Sequence, residues 1–167
     1  SFTNVPNEFV EAYFPLRVET YEFIVDSGGA GLHRGGNGLS VAYRFLVDGH
    51  IGIHDDRWLT YPWGVNGGKP GQRSTKLLVR ADGTEEYIPA KCEGVKVNKG
   101  DLLYFNTWGG GGWGDPLQRD PAIVASDVSK KLVSIIGARR YGVVINEDLT
   151  LDKLKTDELR AEMSKDT

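Results

Sequence analysis

Three glycine-rich blocks constrain this 167-residue chain more than any other feature of its sequence. They occupy positions 26–38, 61–71 and 108–116. The chain has 22 glycines, about twice the usual share of a globular protein. Glycine frees the backbone at an entropic cost, so clusters of it mark tight turns or close approach of two backbones. Because these glycines stand among Trp, Tyr, Pro and Arg, the blocks predict ordered turns rather than flexible linkers.

Short strands are predicted where apolar and polar residues alternate between the blocks. The pattern is clearest over 39–47, where Val41, Tyr43, Phe45 and Val47 share one face. Further strands are predicted at 51–54, 76–80, 86–89, 95–97, 102–106 and 143–145. The second and third of these flank Asp82-Gly83, a sequence typical of a hairpin turn.

The two ends of the chain give different signals. Residues 9–25 alternate as extended chain does, and Pro15 makes this stretch an edge strand or a bend. Near the other end, Asp120 precedes Pro121, the order expected of an N-cap and the first helical residue. Further helix signals are Ser134 as a cap, Gly142 as a stop and the charged segment 157–163.

These patterns together predict an α+β fold. It is mainly antiparallel β-sheet, with long Gly-rich loops and two or three short C-terminal helices. We expect a β-rich domain over 1–146 that ends in short helices, followed by a charged tail with a short helix over 147–167.

Composition excludes several classes of partner. The net charge is −3 and no segment concentrates Lys and Arg, which argues against nucleic acid. No apolar run is long enough to span a bilayer, so no membrane partner is expected. Cys92 is the only cysteine, so a disulfide framework is excluded and a reducing, cytoplasmic location is predicted.

Glycine-rich loops invite a nucleotide-binding hypothesis, which both common templates fail. In G-x-G-x-x-G, counted from Gly29, the third glycine falls on Arg34. In the P-loop template, Trp63 takes the first glycine position and Pro70 replaces the Ser or Thr. The sequence therefore predicts no ATP bound by this chain alone.

A weak metal hypothesis rests on His50 and His54, which would share one face of a strand, with Asp55 beside them. Two partly exposed polar residues at a strand end explain the pattern better, because no cysteine or third histidine lies close in sequence. His33 could be a third ligand only if the fold brought it close to His50 and His54. Cys92 has no adjacent histidine, so a small buried hydrophobic residue is expected there rather than a nucleophile.

The block from Trp108 to Trp113 allows two interpretations. Aromatic residues around four glycines can form a binding platform, because bare backbone lets a ligand approach. Alternatively, the glycines allow tight backbone packing and the tryptophans anchor an interface, which we favour. Charged residues beside the blocks are expected to form salt bridges that hold the loops: Asp26, Arg34, Asp115, Arg139 and Arg140.

Taken in order, these segments resemble one family closely. The motifs that carry the resemblance are T-N-x-P-x-E from Thr3 to Glu8, D-S-G-G-A-G from Asp26, R-G-G-x-G from Arg34, P-W-G from Pro62 with G-G-K-P-G from Gly67, and the glycine block 109–116 followed by Arg119-Asp120-Pro121 and Tyr141-Gly142-Val143. They cover nearly the whole chain, and the ordered set is specific. The family is hydantoinase B/oxoprolinase, whose relatives include subunits of ATP-dependent acetone and acetophenone carboxylases.

The resemblance implies a chemistry in which ATP phosphorylates an amide or enolate oxygen and the activated group is then hydrolysed or carboxylated. It implies ATP and a divalent metal bound by hydantoinase A-like and hydantoinase B-like partner subunits, and neither in this chain. It supports a structural or site-completing role, with an independent small-ligand binding module as the alternative. Loop residues that could face substrate or an interface are Asp26, Ser27, Gly28, Gly29, Arg34, Trp63, Trp108, Gly110, Gly111, Trp113 and Asp115.

The chain departs from the family in length, because it resembles only the C-terminal end of much longer subunits. The metal-ligating histidines and acids that the resemblance implies lie upstream, so catalytic residues stay unassigned. The chain could be a separate subunit, a proteolytic product or an expressed fragment, and Ser1 fits either a removed initiator Met or a cleavage site. We expect an apolar patch against a partner chain that includes one or more of Trp58, Trp63, Trp108 and Trp113.

Overall fold

A computed structural model describes residues 4–165, so Ser1, Thr3 and the end of the predicted tail lie outside the described residues. The described chain forms two compact units, and it alternates between them. Unit 1 contains 4–22, 39–59 and 74–107; unit 2 contains 23–38, 60–73 and 108–165. Within residues 4–165, no helix combines the length and the apolar character needed to cross a membrane.

Unit 1 is built on antiparallel sheet. Its elements are α1 (Asn7–Tyr13), β1 (Leu16–Phe23), β2 (Leu39–Phe45), β3 (Gly49–His54), β4 (Thr75–Val79), β5 (Glu85–Tyr87), β6 (Lys91–Val97) and β7 (Leu102–Asn106). Five strands form one sheet in the order β1-β2-β7-β4-β5, while β3 and β6 form a second, two-stranded sheet. The predicted α+β class is confirmed, and so is the hairpin that joins β4 to β5.

Apolar side chains fill the interior of unit 1. The buried cluster includes Phe45, Ile53, Leu78, Val97 and Leu103, contributed by β2, β3, β4, β6 and β7. On β4, alternate residues are buried, as expected of a strand with one face toward a core. The predicted core face of β2 is confirmed for Val41 and Phe45, but the strand ends at Phe45 and Val47 lies beyond it, exposed.

The prediction of extended chain over 9–25 was wrong for its first five residues, because Asn7–Tyr13 is α-helical. Phe9 and Tyr13 stack with their ring centroids 4.3 Å apart, a contact that i and i+4 residues make on a helix. Apolar residues at 9, 10 and 13 fit a helical period as well as an alternating one. Pro15 follows the helix and precedes β1.

Unit 2 contains the three glycine blocks and the C-terminal helices. The helices are the 3₁₀ helix Pro116–Gln118, α2 (Pro121–Ser129), the 3₁₀ helix Gly137–Tyr141 and α3 (Lys153–Met163). Asp120 caps α2, since its carboxylate accepts from the N–H of Ala122, as predicted. Gly142 ends the second 3₁₀ helix in the left-handed region, with φ +63°, which confirms it as a stop.

The strand predicted at 143–145 was wrong, because its backbone groups have other partners. The N–H of Val143 donates to the carbonyl of Ala138, and that of Val144 donates to the hydroxyl of Thr156 in α3. Only Ile145 makes an isolated bridge, to Leu151. These apolar residues are used in the core of unit 2 instead, with Val124, Val128 and Tyr141.

Candidate functional site: a glycine scaffold with an aromatic rim

The three glycine blocks of unit 2 are joined by backbone hydrogen bonds into one body, which we call the glycine scaffold (26–38, 61–71 and 108–116). The N–H of Gly29 donates to the carbonyl of Gly110 (2.8 Å), and that of Gly112 donates to the carbonyl of Lys69 (2.9 Å). The N–H of Lys69 in turn donates to Ala30 (2.7 Å). Each block is thus bonded to the other two, which confirms ordered loops rather than flexible linkers.

Close backbone approach explains why glycine is needed in the scaffold. A Cβ added to Gly35 would collide with the carbonyl of Gly110, and one added to Gly111 would collide with the carbonyl of Trp63. Gly112 is equally confined, by the carbonyl of Ala30. Backbone atoms cannot swing aside as a flexible side chain can, so a side chain at these positions must displace a whole segment.

Charged and polar side chains hold the scaffold in place, as predicted. The carboxylate of Asp26 binds the guanidinium of Arg140 at 3.0 Å and accepts from the N–H of Ser134 at 3.0 Å. Ser27 is buried and donates its hydroxyl to the carbonyl of Ile24. Both Asp26 and Ser27 are bound by other groups of the protein, which indicates a positioning role.

Arg34 and Asp115 are also bound by other groups of the protein. Arg34 donates to the side-chain oxygen of Asn37 (2.5 Å) and lies 3.5 Å from the carboxylate of Asp127. Asp115 caps the first 3₁₀ helix by accepting from the N–H of Leu117. Arg139 is exposed and has no such contact with the scaffold among the described salt bridges.

Asp127 is a residue that sequence reasoning did not single out. It lies on α2 between the buried Val124 and Val128, and its carboxylate binds both Arg34 and Arg119, the latter at 2.8 Å. A carboxylate on the apolar face of a helix is itself a signal of a buried ion pair. Its partners, however, could not be named from sequence.

Tryptophan side chains form an exposed rim on this rigid scaffold. Trp63, Trp113 and Trp108 are 66%, 46% and 39% exposed. Tyr61 and Val65 from the second block are also exposed. We call these five residues the aromatic rim. Trp58 belongs to unit 1 and is half-buried.

Trp113 links the blocks directly. Its backbone forms bridges with His33 and with Val65, and its ring lies 5.5 Å from that of His33. The aromatic rim therefore consists of exposed aromatic and apolar side chains, with the guanidinium of Arg73 4.7 Å from the Tyr61 ring centre, on loops joined by backbone hydrogen bonds. Such a surface is typical of interfaces, where rigid aromatic side chains contribute much of the binding energy.

The metal candidates lie in unit 1, where His54 and Asp55 contact other side chains. His54 is exposed and contacts Glu93 through Nε2 at 2.5 Å. Asp55 is buried and binds the ammonium of Lys76 at 2.5 Å. His50 lies on β3 opposite Lys96. Among residues 4–165, no three His, Cys, Asp or Glu side chains are grouped so that they could hold a metal ion.

Lys76 was not predicted as a buried residue. Its ammonium also donates to the carbonyl of Asn106 (3.2 Å) and lies 3.9 Å from the centre of the Phe105 ring. Burial lowers the pKa of Lys76, while its hydrogen bond to Asp55 opposes that shift. The pair is enclosed by unit 1 and points to a structural role.

Cys92 was expected to be buried, but it is half-buried. Its Sγ donates to the carbonyl of Pro89 at 3.2 Å.

The family model of hydantoinase B/oxoprolinase matches residues 1–116, and the chain belongs to this family. The putative B-type component of a D-/L-hydantoinase from Pseudomonas sp. (strain NS671) is 34% identical over 160 residues, which is 94% of this chain and 27% of that protein. The expected resemblance is thereby confirmed.

Two solved structures share the fold. The crystal structure of ATP-dependent caprolactamase from Pseudomonas jessenii superposes with a TM-score of 0.80 at 32% identity, covering 93% of this chain and 28% of that one. A nucleotide-free acetone carboxylase gives 0.74 at 22% identity, over 97% and 26% of the two chains, and shows likeness of fold alone. This chain thus spans 27–28% of the length of the hydantoinase and caprolactamase relatives.

Proposed function

We propose that this chain is a structural or site-completing part of an ATP-dependent amidohydrolase of the hydantoinase and oxoprolinase type, or of a ketone carboxylase. The single observation that carries the proposal is the aromatic rim held on the glycine scaffold. Trp63, Trp108 and Trp113 are all exposed on loops of which Asp26 and Arg34 bind neighbouring side chains. A rigid apolar surface of this kind fits contact with another polypeptide better than chemistry of its own.

The partners we propose are hydantoinase A-like and hydantoinase B-like polypeptides that hold the ATP, the divalent metal and the reacting groups. Support comes from the share of the relatives that this chain spans, 27% of the Pseudomonas hydantoinase protein. Further support comes from Arg34, Trp63 and Pro70, which break both nucleotide-binding templates.

Assembly is the most direct test. The chain would be co-expressed with hydantoinase A-like and B-like polypeptides, and the complex measured by light scattering and by ATP-dependent hydrolysis of hydantoin, caprolactam and 5-oxoproline. We expect Trp63→Ser or Trp113→Ser to weaken assembly about tenfold or more, because truncating a central aromatic residue commonly costs about 2 kcal/mol of binding free energy.

Tyr87→Ser is the matched control, since Tyr87 is 73% exposed and belongs to unit 1, whereas the aromatic rim belongs to unit 2. It should assemble as the unchanged chain does. Recovery of the chain only as a free monomer, or turnover of any of these amides by the chain alone, would contradict the proposal.

A second candidate is an independent ligand-binding module that uses the exposed Trp63 and Trp113 as a stacking platform. Tryptophan fluorescence titrated with hydantoins, sugars and aromatic ketones distinguishes the two functions. Saturable quenching without any partner chain, removed by Trp113→Ser, would favour the module over the assembly role.

A further inference from the structure

Unit 2 contains a cluster of charged side chains in which positive charges outnumber negative ones. The guanidinium groups of Arg34 and Arg119 share one carboxylate oxygen, Oδ2 of Asp127. Nε of Arg34 lies 3.5 Å from this oxygen, and Nη2 of Arg119 lies 2.8 Å from it. The three side chains are only 15%, 12% and 11% exposed. One carboxylate balances one of the two guanidinium groups, and a charge with little access to solvent is costly when it is not balanced.

Arg160 brings a third guanidinium group to this cluster. Its Nη2 donates to the carbonyl of Arg119 at 2.6 Å and to that of Tyr141 at 3.2 Å. Both acceptors are neutral, so these two bonds supply no counter-charge. The nearby Arg140 is different, because the carboxylate of Asp26 binds it at 3.0 Å. The cluster thus places Arg34, Arg119 and Arg160 around the single carboxylate of Asp127.

Four buried polar groups of the cluster have no hydrogen-bond partner among residues 4–165. They are Nε of Arg34, Nε of Arg119, Nε of Arg160 and the hydroxyl of Tyr141. Tyr141 is fully buried. Burial raises the pKa of its phenol, although the charges of Arg140, Arg34 and Arg119 oppose that shift, so the hydroxyl keeps its proton at neutral pH. All four groups can therefore donate, and buried donors are nearly always bonded to an acceptor.

Separate segments of unit 2 bring these donors together. Arg34 belongs to the first glycine block, and Arg119 directly follows the 3₁₀ helix Pro116–Gln118. Tyr141 ends the second 3₁₀ helix, and Asp127 lies on α2. The phenol of Tyr141 responds to the charges of Arg34, Arg119 and Asp127, which places its hydroxyl close to them. An acceptor bound here would join the glycine scaffold to the C-terminal helices.

The chemistry of the cluster selects the acceptor. A water molecule would satisfy hydrogen bonds but would leave the surplus positive charge unbalanced, whereas an anion does both. The carboxylate of a partner chain is a poor fit, because the donor atoms themselves are buried. A halide ion is small and spherical, so it can accept from donors that approach from several directions.

We propose that Arg34, Arg119 and Tyr141 form a binding site for one small inorganic anion of the halide class, with chloride as the ordinary occupant. The ion accepts from the Nε groups of the two arginines and from the phenol, and it balances charge that Asp127 alone does not. The site lies within unit 2 and does not depend on the function proposed for the aromatic rim. Binding involves no covalent step.

Binding is tested by urea unfolding of the 167-residue chain, because urea adds no ions. Sodium gluconate is replaced stepwise by sodium chloride at constant ionic strength, so that charge screening stays the same. Gluconate is too large to be enclosed by the cluster. An ion that binds only the folded chain raises the equilibrium constant for folding about elevenfold at about ten times its Kd. We expect a saturable rise of the urea midpoint with chloride, and the same with bromide.

Two variants and one control assign the effect to the cluster. Tyr141→Phe removes the hydroxyl and keeps the ring, so it should weaken chloride binding about tenfold or more, the effect of a hydrogen bond to a charged group. Arg119→Gln removes one positive charge of the cluster and should abolish the chloride-dependent rise. Arg139→Gln removes the same charge from an exposed side chain of unit 2 and should keep the full rise. If Arg119→Gln does not fold, Tyr141→Phe decides.

Bromide also locates the ion, because its anomalous X-ray scattering identifies it in crystals of the chain grown with sodium bromide. We expect a peak within hydrogen-bonding distance of the hydroxyl of Tyr141 and of Nε of Arg34 or Arg119. The proposal is wrong if the urea midpoint is the same in chloride and gluconate, since water then satisfies these donors and a crystal peak would be an adventitious ion only. It is also wrong if Tyr141→Phe and Arg139→Gln respond alike to chloride, or if bromide is absent from the cluster. Since these measurements use neither ATP nor partner chains, such failures leave the proposed assembly role untouched.

Discussion

The two units of this chain achieve order by opposite means. In unit 1, large apolar side chains such as Leu78, Val97 and Leu103 fill the space inside the sheets. In the glycine scaffold of unit 2, the backbones of Gly35 and Gly110 touch because neither has a side chain. The first arrangement is stabilised mainly by the hydrophobic effect, the second by backbone hydrogen bonds and by ion pairs at its edges. A high glycine content in this chain is therefore associated with rigid loops, not flexible ones.

The largest effect is expected from adding one methyl group to the scaffold. Gly35→Ala places a Cβ against the carbonyl of Gly110, which is itself hydrogen-bonded to Gly29. Because backbone must shift, we expect a loss of more than about 4 kcal/mol in the free energy of unfolding, the range of severe single substitutions. Hydrogen exchange measured by mass spectrometry should show lost protection over 26–38 and 108–116.

Gly36→Ala is the matched control at the next position. A Cβ there meets nothing within 4 Å, and neither glycine has a positive φ. We expect this variant to change stability by less than about 0.5 kcal/mol. If Gly35→Ala were as stable as Gly36→Ala, backbone contact would not hold the scaffold together. The two units would then not differ in the kind of contact that orders them.

A smaller effect is expected at Asp101 in unit 1, where a buried carboxylate rather than an apolar residue joins several segments. It accepts from the N–H groups of Ala81 and Asn98 and binds Arg80 at 3.0 Å. Asp101→Asn cannot accept from all three, so we expect a loss of about 2–4 kcal/mol at pH 7.

The pH dependence of this loss follows from the carboxyl group. Burial alone would raise the pKa of Asp101, but the N–H groups of Asn98 and Ala81 and the guanidinium of Arg80 outweigh it and hold the pKa below its usual value. Its stabilisation is therefore complete above the unfolded pKa, about 3.9, and is lost as pH falls through the folded pKa. In urea unfolding, the difference in unfolding free energy between the chain and Asp101→Asn should be smaller at pH 3 than at pH 7.

Glu86→Gln serves as the control for charge, since Glu86 also binds Arg80 but is half exposed. Its effect should stay below about 0.5 kcal/mol at both pH values. If the difference in unfolding free energy between the chain and Asp101→Asn were as large at pH 3 as at pH 7, the shape of the Asp101 side chain rather than its charge would explain the destabilisation.

Local signals in the sequence predicted much of unit 1. The strand at 102–106 is β7 with the same bounds, and Asp82-Gly83 marks the turn between β4 and β5. The apolar pattern of a short segment between turn residues is the rule that predicts such elements. The same rule misread residues 9–13, since so short an apolar pattern fits helix and strand alike.

Pairing over long distances could not be predicted. Asp26 and Arg140 are 114 residues apart, and Asn37 donates to the carbonyl of Leu132 across 95 residues. No periodicity links such positions. Composition could identify ordered glycine loops with charged neighbours, but only the fold specifies which backbone each glycine touches, and therefore why alanine is excluded at Gly35 and tolerated at Gly36.

The smallest effect is expected in a helix of unit 2. Side-chain contacts stabilise the ends of such helices, whereas backbone contacts stabilise the glycine scaffold of the same unit. The carboxylate of Asp120 accepts from the N–H of Ala122 at 2.8 Å and caps α2. Asp120→Ala should destabilise the chain by about 1 kcal/mol, the usual effect of losing an N-cap, measured by thermal and urea unfolding.

Lys130→Ala at the exposed far end of α2 should change stability by less than about 0.5 kcal/mol. If Asp120→Ala instead destabilised the scaffold as severely as Gly35→Ala, α2 and the glycine blocks would be one cooperative structure, and the distinction between side-chain and backbone control would not hold inside unit 2.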